Sequence, residues 1–203
     1  MIVFIKKKLV LLANPKTGST AIQAALDPIA GATFRNPPGL KHTNIQRYNR
    51  FYRKAFESHA QGPLETACLV REPIDWLGSW YRYRARPQIV GQPSSTAHLS
   101  FEEFVLAYLG GTRPEFAKVG DQARFAIAKE NTDQITHLFQ YEQMDLFIDF
   151  LNDRLGTSIV LPRVNVSPLA SVELSAATKA KLHKKCADQF DLWTSARSQC
   201  ICC

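Results

Sequence analysis

The sequence predicts an α/β domain in three layers, with helices on both faces of a mainly parallel central sheet. Two observations lead there. Short, continuous apolar runs alternate with segments whose apolar residues recur at helical spacing, and no internal repeat interrupts that alternation. The apolar run Leu9–Ala13 also stops at a tight polar turn, Asn14–Thr20, with an alanine-rich amphipathic segment directly behind it. A chain of 203 residues, 45% hydrophobic and 21% charged, buries a full core without staples, so one domain over residues 1–203 is expected.

Each element has its own punctuation. The opening "MIVFIKKKLVLLAN" places apolar residues on both sides of three lysines, which is the wrong order and length for a secretory signal and reads as sheet strand. Strands are expected at Leu9–Ala13, Ala32–Arg35, Thr66–Val70, His137–Gln140 and Ile159–Leu161. Thr43-Asn44-Ile45-Gln46 has the form of a capping box, and Ile45, Tyr48, Tyr52, Ala55 and Phe56 then follow helical spacing. Pro73 opens a helix at its first position. Ser100 and Glu103 form a second box, and Gly110-Gly111 stops that helix. Asp145 to Leu155 is closed by Gly156 as a left-handed cap, and a last helix runs from Ser175 to Asp188. The Pro-, Ser- and Gly-rich stretch Ala85–Ser100 is a long surface loop.

The net charge of +7 calls for an anionic partner: nucleotide, acidic glycan, nucleic acid or membrane surface. No apolar run reaches the length of a membrane span, and a cytoplasmic location is expected. Of five cysteines, three crowd the end as Cys200, Cys202 and Cys203; an odd, irregular set is no disulfide framework, and the tail is given no function.

A buried strand, a polar turn and the open amide end of a helix make a phosphate site. Yet the turn is not the ATP-binding kind. Gly18 is followed by Ser19 where that motif has lysine, Lys16 lies ahead of the glycine, and the strand "TACLVREP" ends in Arg71 where a metal-holding Asp would stand. The turn still offers amides, an ammonium and the hydroxyls of Ser19 and Thr20 to a tetrahedral anion. Arg71 at a strand end and Ser79 on the next helix can grip a second phosphate. Two anion sites at neighbouring strand ends suit a nucleotide phosphorylated at two places.

Pro15-Lys16-Thr17-Gly18-Ser19-Thr20, followed by Arg71, Pro73 and Ser79 at their spacing, resembles the motif pair of sulfotransferases that use 3′-phosphoadenosine 5′-phosphosulfate (PAPS). "HLFQYEQMDLFIDFLNDRLG" resembles the strand and helix that follow in this family, and "PRVNVSP" with the helix after it resembles the end of its carbohydrate-type members. The resemblance implies a P-loop-like fold, PAPS as sulfuryl donor, no metal, and an acceptor hydroxyl, with saccharides among the acceptors. It also implies that Pro15 to Thr20 hold the phosphosulfate, Lys16 steadies the leaving group, and Arg71 and Ser79 take the 3′-phosphate. His42, between the second strand and a capped helix, is the candidate base; a carboxylate does this work in other members, and Glu57 is the remote alternative. The chain is short for the family, and the resemblance names no acceptor.

Two rivals stand beside this reading: a P-loop small-molecule kinase, and a non-catalytic polyanion-binding module. The basic-aromatic stretches "QRYNRFYRK" and "YRYRARP" are the feature a nucleic-acid partner would use, but a solvated face is the expectation for their arginines, and no nucleic acid is expected. Trp76, Trp80 and Tyr83 are expected in the core.

Overall fold

The computed structural model describes residues 1–129, 132–161 and 172–198. In chain order they form β1 (Ile2–Phe4), β2 (Leu9–Leu12), α1 (Ser19–Leu26), β3 (Ala32–Thr33), α2 (Pro38–Lys41) and α3 (Ile45–Arg47). A π-helical turn, Tyr48–Tyr52, leads into α4 (Arg53–Ala60), followed by β4 (Glu65–Val70), α5 (Pro73–Arg84), α6 (Phe101–Tyr108) and α7 (Gln122–Ala126). The chain continues through β5 (His137–Gln140), α8 (Met144–Leu155), α9 (Ala176–Lys185) and α10 (Ala187–Ser198).

The five strands make a single sheet in the order β3-β1-β2-β4-β5. Pairings β2–β4 and β4–β5 are parallel, but β1 is antiparallel to both β2 and β3. The sheet is therefore mixed, not mainly parallel as expected. The cause is the lysine triplet. Ile5–Lys7 turn in a short 3-10 helix, Lys8 closes it at φ +52°, and the chain returns as β2 beside β1. Exposed ammonium groups keep that turn in water, and the apolar residues on either side pair with each other.

Apolar runs in β2 and β4 alternate between two buried faces. Val10, Leu12, Cys68, Val70 and Leu138 meet Ile45, Tyr48, Phe125 and Leu192 from the α3, α7 and α10 side. Leu9, Leu11, Ala67, Leu69 and Phe139 meet Ile22 and Leu26 of α1 and Phe147, Leu151 and Leu155 of α8. Helices thus cover both faces. A third cluster joins α5, α6 and α9 through Trp76, Leu77, Phe104, Tyr108 and Leu182. Among the described residues no helix is long and apolar enough to cross a membrane.

Several boundaries fall where the sequence places them. Ser100 and Glu103 exchange both bonds of a capping box, and Gly156 ends α8 at φ +68°. Other expectations are corrected. Ile159–Leu161 forms no strand; Ile159 and Leu161 pack beside the α8 cluster instead. The cap of α3 is Asn44, whose side chain accepts from the Arg47 amide at 2.8 Å, while the Thr43 hydroxyl turns back to the Leu40 carbonyl at 2.9 Å. The π-turn then adds a residue to the helical period, which leaves Ala55 exposed while Phe56 still packs inward. The last helix is two: α9, capped by Ser175, breaks at Cys186, and α10 continues past Asp188. The segment "PRVNVSP" and the Cys200–Cys203 tail lie outside the described residues.

Candidate functional site

The site is built around the turn after β2. Asn14, buried beneath it, donates to the Leu69 carbonyl and to Gln122 Oε1, both at 3.1 Å. Thr17, also buried, ties the turn across by donating to the Asn14 carbonyl at 2.8 Å. The Trp76 indole donates to the Pro15 carbonyl at 2.9 Å. These contacts hold two left-handed residues, Lys16 at φ +67° and Gly18 at φ +73°. Glycine takes that conformation freely; for lysine it costs about 1–2 kcal/mol and persists because the surroundings enforce it. Gly18 precedes α1, whose first turn no side chain caps. Its free amides and helix dipole therefore open toward whatever anion the turn receives.

Arg71 stands at the end of β4. Its Nη1 donates to the Lys16 carbonyl at 3.1 Å, its Nε pairs with Asp75 Oδ2 at 2.6 Å, and its guanidinium lies 4.4 Å from the Tyr141 ring centre. Gln122 fixes the backbone there from both sides, accepting from the Arg71 amide at 2.9 Å and donating to its carbonyl at 2.8 Å. The first helical turn of α5 is set by Pro73 and by Glu72, whose side chain accepts from the Asp75 amide at 2.7 Å. Ser79 is buried on the same helix, and among the described residues it shares no hydrogen bond with Lys16 or Arg71.

Charge around the turn is one-sided. Lys16 has no carboxylate partner among the described residues; its ammonium lies 4.1 Å from the Tyr83 ring centre and 5.5 Å from that of Trp80. Burial first, and then repulsion from Arg86, Arg71 and Arg82, brings its pKa down to about 8. Asp75 serves two of those arginines, since Arg82 Nη2 is also 3.4 Å from its Oδ1. Arg86 rests on the Tyr83 ring at 4.9 Å. The arginines of this stretch are thus not a plain solvated face: Arg84 too is held, donating to the Glu115 and Lys118 carbonyls at 2.7 and 3.0 Å. Tyr83 is not a core residue, being 36% exposed; Trp80 is half-buried and Trp76 fully buried.

On the other side of the turn, His42 follows the one-turn helix α2 and brings Nδ1 to 2.7 Å from the Ala13 carbonyl. A carbonyl only accepts, so Nδ1 carries the proton, and in the neutral ring Nε2 holds the free lone pair. Burial lowers the His42 pKa, the Ala13 bond raises it, and the nearby Lys41 lowers it again. Lys41 Nζ donates to Thr20 Oγ1 at 3.3 Å. Glu57 is elsewhere engaged, paired with Arg53 at 3.1 Å and accepting from the Leu64 amide at the entry to β4.

The structure therefore joins Lys16, Arg71, Thr20 and His42 through the turn and its flanks. Sequence reasoning missed the buried amides beneath them: Asn14, Gln122 and Gln189, whose Oε1 accepts from the Gln122 amide at 3.1 Å. No periodicity marks them; the one available signal was a polar residue, Asn14, directly behind a buried strand. Among the described residues no cluster of His, Cys, Asp and Glu is placed to hold a metal. In comparison with known proteins, no family model, curated protein or solved structure matches this chain.

Proposed function

We propose that this chain is a PAPS-dependent sulfotransferase with a P-loop-like nucleotide site. One observation carries the reading: Arg71 donates to the Lys16 carbonyl, so two anion grips 55 residues apart in sequence share one edge of the sheet. A nucleotide with a 5′-phosphosulfate and a separate 3′-phosphate needs two such grips. The uncapped start of α1 and the hydroxyls of Ser19 and Thr20 receive the phosphosulfate oxygens, and Arg71, together with Ser79 of α5, receives the 3′-phosphate.

The chemistry is a displacement at sulfur. The acceptor oxygen forms a bond to sulfur while the bond from sulfur to the 5′-phosphate oxygen breaks. The acceptor proton passes to His42 Nε2, and the bond's electron pair leaves on the phosphate, where Lys16 neutralises it. A His42 held neutral by burial is ready to take that proton near neutral pH. The acceptor is a hydroxyl, with a saccharide hydroxyl among those the reading includes.

Calorimetry with adenosine 3′,5′-bisphosphate, AMP, ADP and ATP tests the proposal. A charge-assisted arginine contact is worth about 1.5–3 kcal/mol. Because Arg71 already pairs with Asp75, the lower end applies, and the bisphosphate should bind about tenfold more tightly than AMP. Arg71→Ala should abolish the difference. Equal binding of bisphosphate and AMP by the unaltered protein overturns the reading, and a preference for ATP with Mg²⁺ would make the chain a kinase.

A further inference from the structure

Lys16 presents an electrostatic puzzle. Three guanidinium groups repel its ammonium, and burial withdraws it from water. Among the described residues no carboxylate answers for it, and its Nζ donates no hydrogen bond to them. What it does have is two aromatic rings. Tyr83 and Trp80 stand edge to face, with centroids 6.0 Å apart and planes at 85°, and the ammonium lies over both. The negative faces of such rings attract the cation.

We propose that Tyr83, with Trp80 behind it, is a positioning residue that keeps Lys16 charged and placed at the turn before an anion arrives. This rests on Lys16 being the charge-neutralising group of the sulfuryl transfer. The partial exposure of Tyr83 has a reason on this account, since a half-exposed ring can hold an ammonium without walling it off. Arg86 leans on the same Tyr83 ring and adds to the repulsion on Lys16, while Arg84 lies 5.4 Å from the Trp80 centre, so each ring carries a second cation. Of the acidic side chains nearby, Asp75 is shared by Arg71 and Arg82, and Glu115 acts on Arg84.

The test reads Lys16 directly, with no nucleotide present. Labelling by an amine-acylating reagent across a pH series, followed by peptide mass spectrometry, reports the fraction of Lys16 that is neutral. Tyr83→Leu keeps an apolar group over the ammonium and removes the ring's quadrupole. The neutral fraction at pH 7, about a tenth for a lysine of pKa about 8, should rise about twofold to eightfold, and the labelling midpoint should move to lower pH. Tyr83→Phe, which keeps the ring, should restore the unaltered profile. With PAPS and an accepted hydroxyl substrate, Tyr83→Leu should lower turnover while leaving the affinity for adenosine 3′,5′-bisphosphate within about twofold. Coincident labelling profiles for the three proteins overturn the proposal whatever the enzyme's activity. The shifted profile without sulfuryl transfer to any acceptor leaves the aromatic support standing and removes the sulfotransferase reading.

Discussion

Gln122 is the residue whose loss should be felt most widely, and Gln122→Leu tests that. Its side chain makes three bonds: it accepts from Asn14 Nδ2 at 3.1 Å and from the Arg71 amide at 2.9 Å, and donates to the Arg71 carbonyl at 2.8 Å. Gln122 itself is 1% exposed, so water cannot replace what leucine removes. The bond from its own amide to Gln189 survives the substitution. Three polar groups lose a partner, at about 1–3 kcal/mol each where burial is complete. Arg71 is only half-buried and Asn14 keeps its bond to Leu69, so the net cost should be about 2–5 kcal/mol. That is a large share of the 5–15 kcal/mol, roughly, that holds an ordinary domain together. Urea denaturation followed by far-ultraviolet circular dichroism should show a lower midpoint with an unchanged slope. A loss below about 1 kcal/mol would refute the idea that these amides hold the turn and Arg71 in register.

Two further outcomes concern the chemistry. Lys16→Ala should depress turnover far more than nucleotide affinity, because on the proposed mechanism the charge Lys16 neutralises develops during bond breaking. Since the unliganded lysine loses its proton near pH 8, kcat/KM for the donor should fall as pH rises through that region, and the mutant's profile should lack this limb. A mutant that loses affinity but keeps its turnover at saturation would reduce Lys16 to a binding clamp. His42→Ala should bind adenosine 3′,5′-bisphosphate normally and lose at least about a hundredfold in rate. With the histidine held below its ordinary pKa by burial, the acidic limb of the unaltered protein's profile should lie below pH 6.5 and vanish in the mutant. Near-normal transfer by that mutant would place the base elsewhere.

Much of the architecture was legible because burial leaves a mark on sequence. Leu9–Leu12, Glu65–Val70 and His137–Gln140 stand close to where their apolar runs place them, since strands covered on both faces have few polar positions to spare. The turn at Asn14–Thr20 and the helix opened by Pro73 were legible for a different reason: few residues tolerate their backbone. Strand direction was not legible. The apolar residues of β1 read alike whether the strand pairs parallel or antiparallel, and the decision rests with three lysines that need water. Ile159–Leu161 failed by the same ambiguity, because a short apolar run satisfies a helix flank as well as a sheet edge. Within the site, the turn residues, Arg71 and His42 were candidates from the start. Tyr83 was misplaced because an aromatic at helical spacing gives no hint of a cation beside it. Gln122 and Gln189 escaped altogether, for a buried amide carries no periodic signature and earns its position only from partners far along the chain.

The small strand β1 gauges the site without entering it. Ile2 is opposite Leu11 along one edge and opposite Thr33 along the other, so β1 alone decides how far β3 is drawn along β2. Strands lie about 4.8 Å apart, and β3 therefore ends two such steps, roughly 10 Å, to the side of the turn that follows β2. The chain from Phe34 to Lys41 crosses that gap and delivers His42 to the Ala13 carbonyl. A slip of one residue in β1 would move β3 by about 3.3 Å, longer than the 2.7 Å contact itself, and would also turn the strand's core side chains to the wrong face. Ile2, Val3 and Phe4 touch neither nucleotide nor acceptor on this account, yet they act as the ruler by which the histidine is set against the turn.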